Sequence, residues 1–331
     1  MPIPKRTNAP LVAVLVAGIL ALLSLLLVIR IPSGREWVRV SLDASHGPIF
    51  AVVAMLVAAL LAGRRGSAQA DAWPDWPLYR KALAISVALG ALIEFLQHFA
   101  GRPPSLFDVM TDTAGALAGL SAWTLATRPA TGEPRAAIGR NPWPVVALGL
   151  AGLAFVLWRP LQVALAYAHR AAAFPVIADF SSAHGLDFVS TDGLGAARAN
   201  VPAPWAREPG ERALEIRYDP EHPPAVQVLE PQRDWRAYSV IAVDLTNAGP
   251  SELSLVLRIL DATHDWSHED RFNLPLVIPP QTRTTVRIAL PAVEAAPATR
   301  RMDMARIANA MLFARPPATP GALYVSRVWL E

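Results

Sequence analysis

The sequence predicts a multi-span α-helical membrane bundle of five transmembrane helices followed by an all-β, jelly-roll-like sandwich. Three observations carry that expectation. The 331 residues are 53% hydrophobic and only 17% charged, with a mean hydropathy of +0.31, which is too apolar for an ordinary soluble chain. The apolar residues crowd into long uncharged runs in the first half. The second half mixes charges, prolines and short alternating stretches, so two domains in different solvents are expected, residues 1–170 and 171–331.

A hydrocarbon core about 30 Å thick takes roughly 20 helical residues, and five runs approach that length. Residues 11–29 are an uninterrupted Ala/Leu/Val/Ile run, ended by Arg30, Pro32 and Gly34. Lys5 and Arg6 precede it as they would precede a secretory signal. The run is too long for one and no small-x-small cleavage site follows, so an uncleaved anchor is expected. Residues 46–62 form the second and shortest span, opened by His46 and Pro48, and a tilted or re-entrant element is an alternative there. The third covers residues 82–99 and carries Glu94, Gln97 and His98 near its end. The fourth, residues 107–126, carries Asp108 and Asp112 in its first turns. Residues 143–167 form the fifth, with Arg159 expected to snorkel to the interface and Pro160 to kink the helix.

Basic residues in short loops favour the cytoplasm. With the N-terminus inside, nine basic residues (Lys5, Arg6, Arg64, Arg65, Arg80, Lys81, Arg128, Arg135, Arg140) face inward against four outside (Arg30, Arg35, Arg39, Arg102). An odd number of spans then places the second half outside the cytoplasm, with the chain as a multi-pass protein of the cytoplasmic (inner) membrane. The formal charge of +3 comes from arginines scattered through loops and strands, so nucleic-acid binding has no support. With no cysteine, disulfides, thiolate metal sites and thiol nucleophiles are excluded, and nothing calls for a cofactor.

Ionisable residues at membrane depth are costly unless paired or hydrated. Glu94 and Gln97 are three apart and Asp108 and Asp112 four apart, so each pair shares a helix face. In the topology above both pairs, and His46, lie in one layer near the outer surface. They flank a short loop that contains Arg102. The block Glu94-x-x-Gln97, Gly101-Arg102, Asp108-x-x-x-Asp112-x-x-Gly115 and Gly119, with His46 ahead of it, resembles the signature of the VanZ-like family. The resemblance covers residues 36–127. Asp112 stands where that family usually has Asn, an acid in place of an amide. What the resemblance implies is an envelope-related membrane setting, since the family has no established reaction.

Three readings of Glu94, Gln97, Arg102, Asp108 and Asp112 follow from their types. They are an interhelical ion-pair cluster, a pocket for a polar head group or lipid-linked precursor, or acid/base catalysis by Glu94 or Asp108 with His46. No nucleophile, base and orienting group stand together as a set, and the spacing matches no metal-ligand motif. An enzyme is therefore the lesser expectation. Gly115-x-x-x-Gly119 lets a neighbouring helix approach closely, within the chain in preference to between chains.

After residue 176 the period changes to two. Leu253, Leu255, Leu257 and Ile259 alternate with polar or outward residues, as do Val286, Ile288 and Leu290. Further strands are expected at residues 213–218, 225–229, 239–245, 310–314 and 322–330, with a short helix at 302–308. An opening Ile177-Ala-Asp-Phe180, Trp235-x-x-Tyr238 and a closing Tyr324-x-x-x-Val328-x-Leu330 resemble galactose-binding-like and carbohydrate-binding-module sandwiches. Modules of that resemblance often hold calcium through acids near the first and last strands; Ser181 and Ser326 stand there instead, so no metal is expected. Trp235 and Tyr238 are expected in the core.

The stretch from His264 to Phe272 joins two strands and is rich in aromatic and planar polar groups. Trp266, His268, Asp270 and Arg271 are its candidate sugar-binding residues. The competing reading is an ordered loop in which Asp270 and Arg271 pair with each other or with the backbone. The function expected is a membrane envelope protein whose sandwich binds a cell-surface glycan or a partner protein. The alternative is a membrane enzyme acting on a lipid-linked or glycan substrate through Glu94, Asp108 and His46.

Overall fold

The apolar runs become helices that continue beyond the runs themselves. The computed structural model describes residues 9–28, 35–63, 75–99, 104–127, 141–191 and 195–331. It contains α1 (Ala9–Val28), α2 (Glu36–Gly63), α3 (Trp76–Phe99), α4 (Leu106–Ala126) and α5 (Trp143–Ala173). Helix α2 starts ten residues ahead of His46 because Glu36 occupies the first turn, where a carboxylate favours the helix dipole, and bonds Arg39 one turn on at 2.6 Å. At 28 residues α2 is about 42 Å long, so it is not the short element expected, and His46 and Pro48 lie inside it. Helix α4 is started by Ser105, whose hydroxyl accepts the Asp108 N–H, with Asp108 in the first turn.

Among the described residues, α1, α2, α3 and α5 are long and apolar enough to cross a membrane by length and composition. Helix α4, with 21 residues, is not among them, because Asp108, Thr111, Asp112 and Thr113 dilute its apolar content. What α4 offers instead is a face of small residues. A Cβ added to Gly115 would collide with the Gly47 carbonyl of α2, and one on Gly119 with the Ala51 carbonyl. On α5, a Cβ at Gly152 would strike the Ala114 carbonyl and one at Gly149 the Ser121 side chain. The Gly115/Gly119 pair therefore packs within the chain, backbone against backbone. Arg159 on α5 reaches Glu36 at 3.3 Å, pairing across the bundle where snorkelling was expected.

The chain forms two compact units, Met1–Val163 and Ala164–Glu331, and α5 contributes to both. Among the described residues, the second unit holds eleven strands in two antiparallel sheets. One has the order β3-β4-β11-β6-β9, with β1 added against β11: β3 (Ala196–Asn200), β4 (Arg212–Tyr218), β11 (Gly321–Leu330), β6 (Val240–Asn247), β9 (Thr282–Ala289) and β1 (Val176–Asp179). The other has the order β2-β5-β10-β7-β8: β2 (Val189–Ser190), β5 (Ala225–Leu229), β10 (Ile307–Ala314), β7 (Leu253–Asp261) and β8 (Phe272–Ile278). The alternation of β7 sends Leu253, Leu255, Leu257 and Ile259 inward, where they meet Leu214, Ile216, Ile241 and Leu245 of the facing sheet. This is the interdigitated core of a sandwich. Trp235 is fully buried in it and Tyr238 packs against it, edge-on to Phe174 at 5.3 Å.

The short helix expected at residues 302–308 is absent. Met302 and Met304 are both buried in the core, the Met304 carbonyl accepts from Trp235 N–H, and β10 starts at Ile307. Tertiary bonds to the backbone outweigh a helical propensity this short. The helical turn lies instead at α6 (Leu290–Glu294), where Pro291 stands at the N-terminus with its fixed φ. Strand β8 carries Pro275, which is tolerated because β8 is an edge.

Candidate functional site

In the first unit the residues singled out from the sequence partly assemble. His46 Nδ1 lies 3.0 Å from Asp112 Oδ1, a hydrogen bond donated by the imidazole N–H to a fully buried carboxylate. Asp112 fits because α3 carries Gly90 opposite it; a side chain there would press on the carboxylate. Glu94, also buried, accepts the Ser105 N–H at 2.7 Å and so ties α3 to the cap of α4. Asp108 is half-buried within electrostatic reach of His46, Glu94 and Asp112. Gln97 departs from the group. Its amide donates at 3.3 Å to the Leu26 carbonyl in the last turn of α1. Arg102 lies outside the described residues.

One oxygen on each of the two acids, Glu94 Oε1 and Asp112 Oδ2, is buried with no hydrogen-bond partner. Buried acceptors without donors are destabilising by about 1–3 kcal/mol each, so the pair is suited to receiving a donor group or a proton. A cavity of about 240 Å³, which these acids do not line, opens between α2, α4 and α5 and is bounded by Arg39, Asp43, Phe107, Thr111, Val156 and Arg159. Charge of both signs at its wall and an apolar floor suit a zwitterionic or hydroxylated group. Gly90 and Ser105 escaped the sequence reading, although Ser105 three residues ahead of Asp108 is a recognisable cap signal.

In the second unit the loop between β7 and β8 presents Trp266, 82% exposed, on a backbone with φ of +71°. A non-glycine residue in that region carries a cost of order 1–3 kcal/mol, sustained only where the surroundings over-determine it. They do so here. Asp265 N–H donates to Asp270 Oδ2 at 3.0 Å, Ser267 N–H to Asp265 Oδ1 at 2.8 Å and Asp270 N–H to Ser267 Oγ at 3.1 Å. Arg300 then forks to two acids, reaching Asp270 Oδ1 at 2.5 Å and Asp261 Oδ2 at 2.5 Å. The Arg300 guanidinium holds the Asp270 carboxyl below its ordinary range. Burial pushes Asp261 upward, but the bonds from Arg300 and from Asp303 N–H outweigh it and leave the carboxyl low as well.

The competing reading, in which Asp270 and Arg271 pair with each other or with the backbone, holds in part, since Asp270 Oδ2 accepts the Asp265 backbone N–H. Asp270 is taken by Arg300, and Arg271 has a buried Nε without an acceptor. His268 is exposed, and the imidazole against the Trp266 ring is that of His264, centroids 5.4 Å apart. His264, Asp265 and Asp270 have ligand atoms within 4.8 Å of one another. Asp270 nevertheless already neutralises a guanidinium, and a cation there would face Arg300. Arg300, thirty residues along the chain, had no local signal marking it as a partner.

No family model matches the chain, and no curated protein matches it. Among solved structures it is similar to an exo-beta-agarase at 12% identity, over 47% of this chain and 24% of that one, with a TM-score of 0.38; the chain thus spans about a quarter of the agarase. It is also similar to a family 11 carbohydrate-binding module from Clostridium thermocellum, in complex with a beta-1,3-1,4-mixed-linked tetrasaccharide. That likeness has 13% identity over 47% of this chain and 93% of the module, with a TM-score of 0.34. A third similarity is to a non-crystalline-cellulose-specific module of family 28, at 12% identity over 48% and 93%, with a TM-score of 0.35. All three TM-scores are low, and what the chain does has to be read from its own side chains.

Proposed function

We propose that this chain is a multi-span membrane protein of the VanZ-like type whose β-sandwich binds an envelope glycan outside the cytoplasm. The observation that carries the reading is Trp266, an indole standing in solvent on a strained backbone that a bonded loop holds in place. Its ring packs against the His264 imidazole, centroids 5.4 Å apart, and the residue still stands 82% in solvent. Folding gains little from a tryptophan this exposed at positive φ, whereas a pyranose ring gains an aromatic face to stack on. For the membrane part, the support is the outer surface of the helices: Leu20, Phe95, Leu150 and Trp158 are each more than half exposed. A contiguous apolar surface of that kind needs lipid or a partner to cover it.

The bundle, in this reading, anchors the sandwich, and its Glu94, Asp112 and His46 cluster receives a polar group from the outer leaflet. Full-length protein in nanodiscs, incubated with purified peptidoglycan and with a soluble β-glucan, tests the glycan arm. Retention on at least one polymer is expected, with Trp266→Ala lowering retention about tenfold at an unchanged unfolding midpoint. An aromatic contact worth about 1.4 kcal/mol corresponds to that factor. Absence of retention on both polymers, or full retention by Trp266→Ala, refutes the proposal.

A further inference from the structure

The last turn of α5 contains an arginine that the fold leaves unsatisfied. Arg170 is 7% exposed, yet of its donors Nη2 alone has a partner, the Leu229 carbonyl at 2.9 Å, while Nε and Nη1 are buried without acceptors. Its guanidinium carbon Cζ lies over the Phe188 ring, 4.1 Å from the centroid. An aromatic ring attracts the cation and supplies no hydrogen-bond acceptor to its N–H groups. Glu230 lies within electrostatic reach, and its carboxylate accepts from Tyr167 Oη at 2.7 Å. A cation near a helix C-terminus is favoured by the dipole, which explains the position and not the unused donors.

A cavity of about 30 Å³ adjoins this group, lined by Arg170, His169, His184, Gly185 and Phe188. The two imidazoles face each other with centroids 5.9 Å apart. Each has one nitrogen engaged locally, His169 with Ser182 and His184 with Asp187, both at 3.4 Å, which leaves the other for a ligand. The acid in the lining, Asp179, has both oxygens occupied by Ser181. A buried guanidinium with free donors, flanked by two imidazoles, is the donor set of an oxyanion site.

We propose that this cavity binds a phosphate group, supplied either as a free anion or as the head of a phospholipid. The site is carried by observations separate from those behind the glycan reading and stands if that reading fails. The test uses full-length protein in a maltoside detergent. Thermal unfolding is followed with inorganic phosphate, with dihexanoyl-phosphatidylglycerol, and with chloride at matched ionic strength.

A rise of about 3–5 °C over the chloride control is expected with ligand well above its dissociation constant. Inorganic phosphate alone raising the midpoint identifies a free anion as the ligand, and the lipid alone identifies a head group; either supports the site. Arg170→Met is expected to abolish the rise without lowering the starting midpoint, since it removes a buried cation whose Nε and Nη1 have no acceptor. If that variant does not fold, His184→Ala, at a half-buried position, decides instead and is expected to cut the rise by half or more. No rise with either phosphate compound, or an undiminished rise in a folded variant, overturns the proposal.

Discussion

Charged side chains in the sandwich are organised around two arginines, and this sets its response to acid. Arg283 bonds Glu211 at 2.6 Å and Asp244 at 2.6 Å, joining β9, β6 and the segment leading into β4. Its hydrogen bonds hold Glu211 below the ordinary carboxylate range, as Arg300 does for Asp270. A carboxylate whose folded pKa is depressed adds stability that is complete above its unfolded value, about 3.9 for Asp and 4.3 for Glu, and is lost as pH falls through the folded value. The unfolding midpoint, followed by near-ultraviolet circular dichroism from Trp235, should therefore be flat above about pH 5 and fall increasingly steeply below about pH 4. Arg300→Gln should lower the midpoint at neutral pH and flatten the acid slope; an unchanged slope would contradict the assignment. Of these groups Asp270 was visible in the sequence as part of a polar loop, and Arg300 was not. Nothing in a linear order tells which of many scattered arginines a given acid meets. In the helices the reverse held, because a buried acid in an apolar run stands out by its cost alone.

Helices were more legible than strands, for a physical reason. Five apolar runs near 20 residues each mark a helix through composition, whereas a strand of five to ten residues is marked by a period of two that turns and bulges interrupt. Accordingly β7 and β9 followed from alternation, while β1, β2 and β3, at four, two and five residues, are held by their neighbours in the sheets. The Gly115-x-x-x-Gly119 motif signalled close approach, but only the packing identified Gly47 and Ala51 of α2 as the backbone it meets. This gives a sharp contrast between two glycines. Gly115→Ala places a methyl against the Gly47 carbonyl and should cost about 1–3 kcal/mol through displaced helices. Gly63→Ala, at the end of α2 with nothing within 4 Å of the new methyl, should be neutral or slightly stabilising. Unfolding midpoints of the two variants in detergent check the difference, and equal midpoints would exclude α2–α4 packing of this kind.

For the whole molecule, the parity of membrane crossings decides which solvent the sandwich meets. Among the described residues four helices satisfy length and apolarity for a crossing, and α4, with its acids and threonines, is the fifth proposed to cross, packed by its small-residue face against α2 and α5. With α4 crossing, a periplasmic reporter fused after Glu331 should be active and a cytosolic one silent; the opposite pattern would place the sandwich inside and remove the envelope reading with it. What the sequence determined unaided is the division into an apolar helical half and an alternating β half, together with the positions of costly acids within apolar runs. Those features follow from local composition and period, which need no partner. Tertiary structure alone decided that Gln97 serves α1 while Asp112 serves His46, that Arg300 fixes the loop holding Trp266 in solvent, and that Arg170 is buried with donors unused. Each of these joins residues far apart in the chain, and hydrogen bonds between such residues exist only once the packed backbone has brought donor and acceptor within about 3 Å.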